Sequence, residues 1–264
     1  MPFITIDQTR YHYLEAGVGQ PMLLLHGFTG CTKNWGEVMV PLVQRYRVIA
    51  IDLPGHGLTQ TPDDVAPFTM PVVAQHLAEF IRLTIGAPVH LVGYSMGGRL
   101  ALYLALEHPA QVQMLTLESA SPGLETQAER VTRVASDEAL AERIERGGIA
   151  AFVAGWEQLP LWASQQHVTD VKRGRLHAQR LQNNPRGLAL SLRGMGTGAQ
   201  PSLWHRLGEL QTPTRLLAGE QDAKFVAIAR RMAAAVPRSQ LHIVSDAGHC
   251  THFEQPDAFV ACVG

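Results

Sequence analysis

The chain of 264 residues is long enough for one substantial α/β domain with an inserted subdomain, and its 46% hydrophobic and 17% charged content excludes a disordered or fibrous protein. A formal net charge of −1 provides no bulk attraction to nucleic acid or to an anionic membrane, and no apolar run approaches the ~18 residues of a membrane span. Three widely spaced cysteines, Cys31, Cys250 and Cys262, give no disulfide framework and indicate a reducing compartment; with no basic and apolar leader at the start, the expected location is cytoplasmic.

The first residues alternate like a strand pair, "FITID" and "YHYLEAG", around polar Gln8 to Arg10. Short, dense apolar runs follow, each ending in Gly or polar residues: "PMLLLHG", "YRVIAIDLPGHG", "VHLVGYS" and "QMLTLESA". Runs apolar on both faces belong in a parallel sheet covered on both sides. Between them, Val72 to Ile85 carries Val73, Leu77, Phe80 and Ile81 on one helical stripe. This alternation predicts a doubly wound α/β core. From about Pro122 to Leu203 the rhythm changes to helices rich in Glu and Arg, with breakers at Gly147-Gly148, Pro160, Asn184-Pro185 and Gly194 to Gly198. Strand and helix then alternate again in "TPTRLLAGEQD", "FVAIARRMAAAV" and "SQLHIVSDAGH", before a short last helix in "PDAFVACVG". The expected organisation is a core of residues 1–121 and 204–264, with a helical cap, 122–203, over the carboxyl edge of the sheet.

"GYSMG" (Gly93 to Gly97) fits G-x-S-x-G between an apolar strand and a helix, the context of a nucleophile elbow. Ser95 must sit there in a strained turn, with glycines allowing close approach of neighbouring backbone. A working serine needs a proton acceptor and an orienting acid. Asp222 and His249 each follow a strand, so both belong at the carboxyl edge beside Ser95. His252 and Asp246 are the nearest rivals; the other histidines (His12, His76, His90, His108, His167, His177, His205 and His242) read as surface, strand or helix residues without partners. An oxyanion hole would use the backbone N–H groups of Met96, after the nucleophile, and Phe28, after His26-Gly27. His26 reads as a loop residue bonded to backbone, and "DLPGHG" as scaffold.

Other chemistries have weaker footing. "GMGTG" follows no strand and precedes no lysine of a phosphate loop. "GHCTHFE" has metal-ligand residue types but no further convergent ligands at standard spacing, so no metal is expected. All but three of the 22 basic residues are arginine. Genomic base composition produces such a bias, and arginine is also the better residue for bidentate carboxylate binding.

Taken together, "LLLHGF", "DLPGHG", "GYSMGG", Asp222 and "AGH" resemble the α/β-hydrolase fold over essentially the whole chain. With "GYSMGGR", "SASPGLETQAERVTRVASD", "FVAGWEQLPLWASQ", "QRLQNNP" and "GEQDAKF" added, the chain resembles the 2-succinyl-6-hydroxy-2,4-cyclohexadiene-1-carboxylate synthase family of menaquinone biosynthesis. That resemblance implies a lyase that eliminates pyruvate from a tricarboxylate, with Ser95, His249 and Asp222 as a general-base triad and no cofactor. It also implies that Arg99, Arg133, Arg180, Trp156 and Tyr94 bind the substrate. Read without it, Arg133 and Arg180 are two of nine arginines in the cap, and Trp156 is equally a cap-core aromatic. The competing activity is a carboxylesterase or C–C bond hydrolase with Ser95 as covalent nucleophile.

Overall fold

The computed structural model describes residues 2–264. Strands β1 (Phe3–Ile6) and β2 (Thr9–Ala16) pair antiparallel. The turn between them is shorter than expected, Asp7-Gln8 alone, with Asp7 at φ 49°. Strands β3 (Gln20–Leu25), β4 (Tyr46–Ile51), β5 (Val89–Tyr94), β6 (Val112–Glu118), β7 (Thr214–Gly219) and β8 (Ser239–Val244) complete an eight-stranded sheet of order β1-β2-β4-β3-β5-β6-β7-β8. It is parallel from β4 to β8, while β2 joins β4 antiparallel.

The apolar runs sort by the two-residue period of a strand. Leu23, Leu25, Ile49, Ile51 and Leu91 face one side, against helices α2 (Met70–Phe80), α3 (Met96–Glu107) and α7 (Ala223–Ala235). Met22, Leu24, Val48, Ala50 and Val92 face the other, against α1 (Gly36–Leu42) and α8 (Pro256–Val263), with Trp35 and Phe259 as the bulkiest members. Burial on both faces explains why these strands read as continuous apolar runs. The expected Val72–Ile85 helix is α2 extended by a wider turn, Ile81–Ile85, which stops at Gly86 with φ 74°.

Between β6 and β7 lie α4 (Gln127–Trp156), a 3₁₀ segment (Pro160–His167), α5 (Asp170–Arg180) and α6 (Pro185–Met195). Gly148, at φ 74° and ψ 174°, breaks α4 into two legs. These helices bury a separate apolar cluster that includes Ile144, Phe152, Val153, Leu188 and Leu192. No helix among the described residues is long and apolar enough to cross a membrane.

The chain passes from β3 outward to β4 and then returns to β5 on the other side of β3. This reversal opens a crevice at the carboxyl ends of β3 and β5, the general ligand position in open α/β sheets. Two exit turns meet there, His26-Gly27-Phe28 and Tyr94-Ser95. A Cβ on Gly97 would lie 2.3 Å from the Leu25 carbonyl oxygen and 2.5 Å from that of His26. One on Gly93 would lie 2.4 Å from the Gly97 carbonyl oxygen. Gly97→Ala must therefore push α3 away from β3, an overpacking cost of about 1–3 kcal/mol. The expected result is a melting temperature lowered by several degrees; an unchanged thermal melt would show that this contact is soft.

Candidate active site

Ser95 occupies the turn between β5 and α3 at φ 51°, ψ −108°, a backbone state that L-residues hold only when their surroundings impose it. The imposing contacts are the Gly97 approach and a hydrogen bond from the Ser95 N–H to the Glu118 carbonyl, 2.8 Å. Asp222 caps the N-terminus of α7, where its Oδ1 accepts the Phe225 N–H at 3.2 Å. Its Oδ2 accepts the proton on His249 Nδ1 at 2.7 Å, which leaves Nε2 as the acceptor for the Ser95 hydroxyl at 3.1 Å. The His249 ring is held edge-on by Phe225 (4.6 Å between centroids) and Trp162 (5.8 Å) and is 3% exposed. Asp246 is exposed on a left-handed turn (φ 55°), away from this chain of bonds.

A cavity of about 270 Å³ opens in front of Ser95, lined by Phe28, Met96, Trp156 and Trp162 among others. The N–H groups of Phe28 and Met96 have no acceptor among the described residues. Phe28 itself packs edge-on against Trp156 (5.5 Å), so one ring joins the exit turn of β3 to α4. Trp156 packs on Phe152 (5.5 Å) and also lines the cavity. Tyr94 lies beneath His249, its ring 5.6 Å away; burial, then the nearby Cys250 and Glu118, raise its hydroxyl pKa far above the usual range. A larger cleft of about 560 Å³ lies farther out, between Glu157 and α5, and contains no triad residue.

Two of the three expected arginines line the Ser95 cavity. Arg99 is 9% exposed, and its Nη1 donates to Gln200 Oε1 at 2.7 Å. Burial and then the charge of Arg133 push its pKa down to about 10, against a partial offset from Asp137. Arg133 Nε donates to Asp137 Oδ1 at 2.7 Å. Its neighbour Arg130 turns back onto the start of α4, donating to the Leu124 and Glu125 carbonyls and to Gln127, which separates the two candidates. Arg180 is outside the cavity: it stacks on Trp162 (5.1 Å to the ring centroid), which stands between it and His249, and its Nη1 donates to Glu157 at 2.9 Å.

The structure also shows what sequence left unmarked. Lys224, two residues past the acid, lines the cavity and makes no ion pair among the described residues. Its position at the start of α7 was a usable signal. Gln200 and Glu118 gave none, since each acts only through residues distant in sequence. The expectation of unpartnered histidines is corrected for four: His12 bonds Asp52 (2.7 Å), His76 bonds Tyr11 and Asp7 (3.0 and 2.9 Å), His90 bonds Thr116 (2.8 Å), and His177 bonds Glu157 (2.8 Å). His26 accepts the Leu53 N–H at Nε2 (2.9 Å) and donates from Nδ1 to the Gly27 carbonyl (2.8 Å), a loop brace.

Residues 20–256 match the family model of the alpha/beta hydrolase fold. The chain is 43% identical over 255 residues to a Bacillus subtilis (strain 168) protein provisionally named 2-succinyl-6-hydroxy-2,4-cyclohexadiene-1-carboxylate synthase, covering 96% of this chain and 93% of the relative. It is 35% identical over 242 residues to the synthase of that name from Enterobacter sp. (strain 638), covering 92% and 89%. The solved structure of MenH from S. aureus superposes with a TM-score of 0.90 at 38% identity, covering 95% of each chain.

The depressed pKa of Arg99 means that folding disfavours its charge. Its fall from the ordinary guanidinium range to about 10 corresponds to a penalty of about 3 kcal/mol, fully present below pH 10 and relieved as pH rises beyond it. Arg99→Met removes that penalty but leaves the buried Gln200 carbonyl oxygen without its donor, a cost of about 1–3 kcal/mol. The variant is expected to melt no lower than wild type without ligand, and citrate, used as a tricarboxylate probe, is expected to raise the melt of wild type but not that of the variant. A lower ligand-free melt would show instead that Arg99 braces the fold.

Proposed function

Because the chain belongs to the 2-succinyl-6-hydroxy-2,4-cyclohexadiene-1-carboxylate synthase family of α/β hydrolases, we propose that it eliminates pyruvate from 2-succinyl-5-enolpyruvyl-6-hydroxy-3-cyclohexene-1-carboxylate in menaquinone biosynthesis. The chain is an enzyme of this kind. The observation that carries the finer reading is the pairing of a Ser-His-Asp relay with two cations, Arg99 and Arg133, in one cavity. A pocket for a neutral ester gains nothing from a guanidinium held at a desolvation cost, whereas a polycarboxylate repays it.

Ser95, with its hydroxyl proton directed at His249, acts as the base on the ring carbon alpha to the succinyl ketone. His249 takes the serine proton as the serine oxygen takes the substrate's, and Asp222 steadies the imidazolium that forms. The electron pair delocalises onto the ketone oxygen, where the Phe28 and Met96 N–H groups stabilise the developing charge. Its return through the ring double bond expels the enolpyruvyl oxygen. The departing enolate takes a proton at its methylene carbon and leaves as pyruvate; the proton held by the His249–Ser95 pair balances it, which returns His249 to neutral and Ser95 to its hydroxyl form. The steps are proton transfer and elimination, served by side chains and backbone alone.

Three carboxylates need cations. Arg99 and Arg133 serve two, and Lys224 stands at the mouth. Arg180 reaches a third once Trp162 swings aside and the ligand replaces Glu157, and Tyr94 and Trp156 shape the floor and wall. In this reading residues 122–203 form the cap, and 1–121 with 204–264 form the core. The partner is a small polycarboxylate, not nucleic acid.

The test is pyruvate release from the enolpyruvyl substrate, followed by coupled oxidation of NADH, with an aryl ester as control. Rapid ester hydrolysis and a trapped acyl-Ser95, without pyruvate, would replace this reading with a hydrolase. Arg99→Ala is expected to lower kcat/KM on the tricarboxylate by roughly 10- to 150-fold, the equivalent of a charge-assisted bond of about 1.5–3 kcal/mol, and to leave ester turnover nearly unchanged. Equal losses on both substrates would assign Arg99 to the scaffold.

A further inference from the structure

We infer that Glu118 is a positioning residue that ties the Ser95 turn to the His249 loop and thereby sets the distance over which those two side chains exchange a proton. Glu118 ends β6 and is fully buried. Its carbonyl accepts the Ser95 N–H at 2.8 Å. Its carboxylate collects three donors from the residues just past His249: the Thr251 hydroxyl (2.7 Å) and the His252 N–H (3.0 Å) at Oε1, and His252 Nδ1–H (2.7 Å) at Oε2. Ser95, Glu118, Thr251 and His249 thus form a closed circuit whose last link is the 3.1 Å bond between Ser95 and His249.

The components are unusual for a brace meant only to hold a fold together. A buried ion pair stabilises no better than apolar residues of the same shape, but it fixes direction. Here it is fixed on every side: Trp35 lies under the His252 ring (4.3 Å, 30° between planes), and Tyr94, the neighbour of the nucleophile, meets it edge-on at 4.9 Å. Burial alone would strip the His252 proton; Cys250 and Glu118 outweigh it and push the imidazole pKa up to about 10. Glu118, Cys250 and His252 are also of metal-ligand type and lie within 4.8 Å of one another. Glu118 Oε2 and His252 Nδ1 are, however, already joined to each other at 2.7 Å.

The inference rests on the triad reading above but not on the substrate, so its test uses a probe of the triad. Diisopropyl fluorophosphate phosphorylates Ser95 with loss of fluoride, and the serine proton passes to His249. Labelling rates are measured from pH 5 to 9 for wild type, His249→Ala, Glu118→Gln and Thr251→Val, each normalised to its folded fraction by circular dichroism. Glu118→Gln is expected to slow labelling on the order of 10- to 100-fold, as for a small misplacement of reacting groups, and Thr251→Val to slow it several-fold. Thr251→Val alone decides the matter if Glu118→Gln does not fold. Lower melting temperatures with labelling within about twofold of wild type would overturn the positioning role. Wild type labelling no faster than His249→Ala would overturn the triad reading itself, and this inference with it.

Discussion

The first turn of α3 rests directly on the carboxyl end of β3, with no room for a side chain at Gly97. That contact accompanies the positive φ of Ser95 and sets the start of a twelve-residue helix, Met96, at the wall of the cavity that Phe28 also lines. The sheet order supplies the same crevice independently, because the chain reverses direction around β3. Asp222 and His249 follow β7 and β8, whose exit loops are themselves in backbone contact: a Cβ on Gly219 would lie 2.1 Å from the Gly248 carbonyl oxygen. The site is therefore a set of strand exits pressed together at glycines.

On this frame the protein carries a charge arrangement that its own residues do not neutralise. Arg99 and Arg133 repel one another, and one buried carboxylate, Asp137, partly offsets them. In the proposed function, such an arrangement lowers stability in exchange for carboxylate binding. Gln200 holds Arg99 as a neutral acceptor; in the proposed function, a carboxylate there would satisfy the guanidinium and leave little for a ligand.

Much of the molecule was legible in sequence because short-range chemistry wrote it there. Strands buried on both faces must be continuous apolar runs, and a nucleophile turn must have small neighbours. Asp222 and His249 were expected to follow strands, and both do. What was not legible depends on approach across the fold. Glu118 reads as a polar residue at a strand end; only the docking of residues 251–252 gives it work. The paired histidines look solitary because each partner is 20 to 69 residues away in sequence. Arg180 was assigned by resemblance, yet whether it faces Ser95 or Glu157 is decided by Trp162, which no local pattern around Arg180 encodes.

The cations around Ser95 come from separate elements: Arg99 from α3, Arg133 from α4 and Lys224 from α7. A molecule that engages all three fastens those elements to one another, with an avidity that belongs to the molecule as a whole. In the proposed reaction the bond that breaks lies between carboxylate-bearing fragments, so the chemistry severs the fastening along with the bond. Each fragment retains fewer charges and a weaker grip, and no separate device is required to discharge a tightly held substrate once it has reacted.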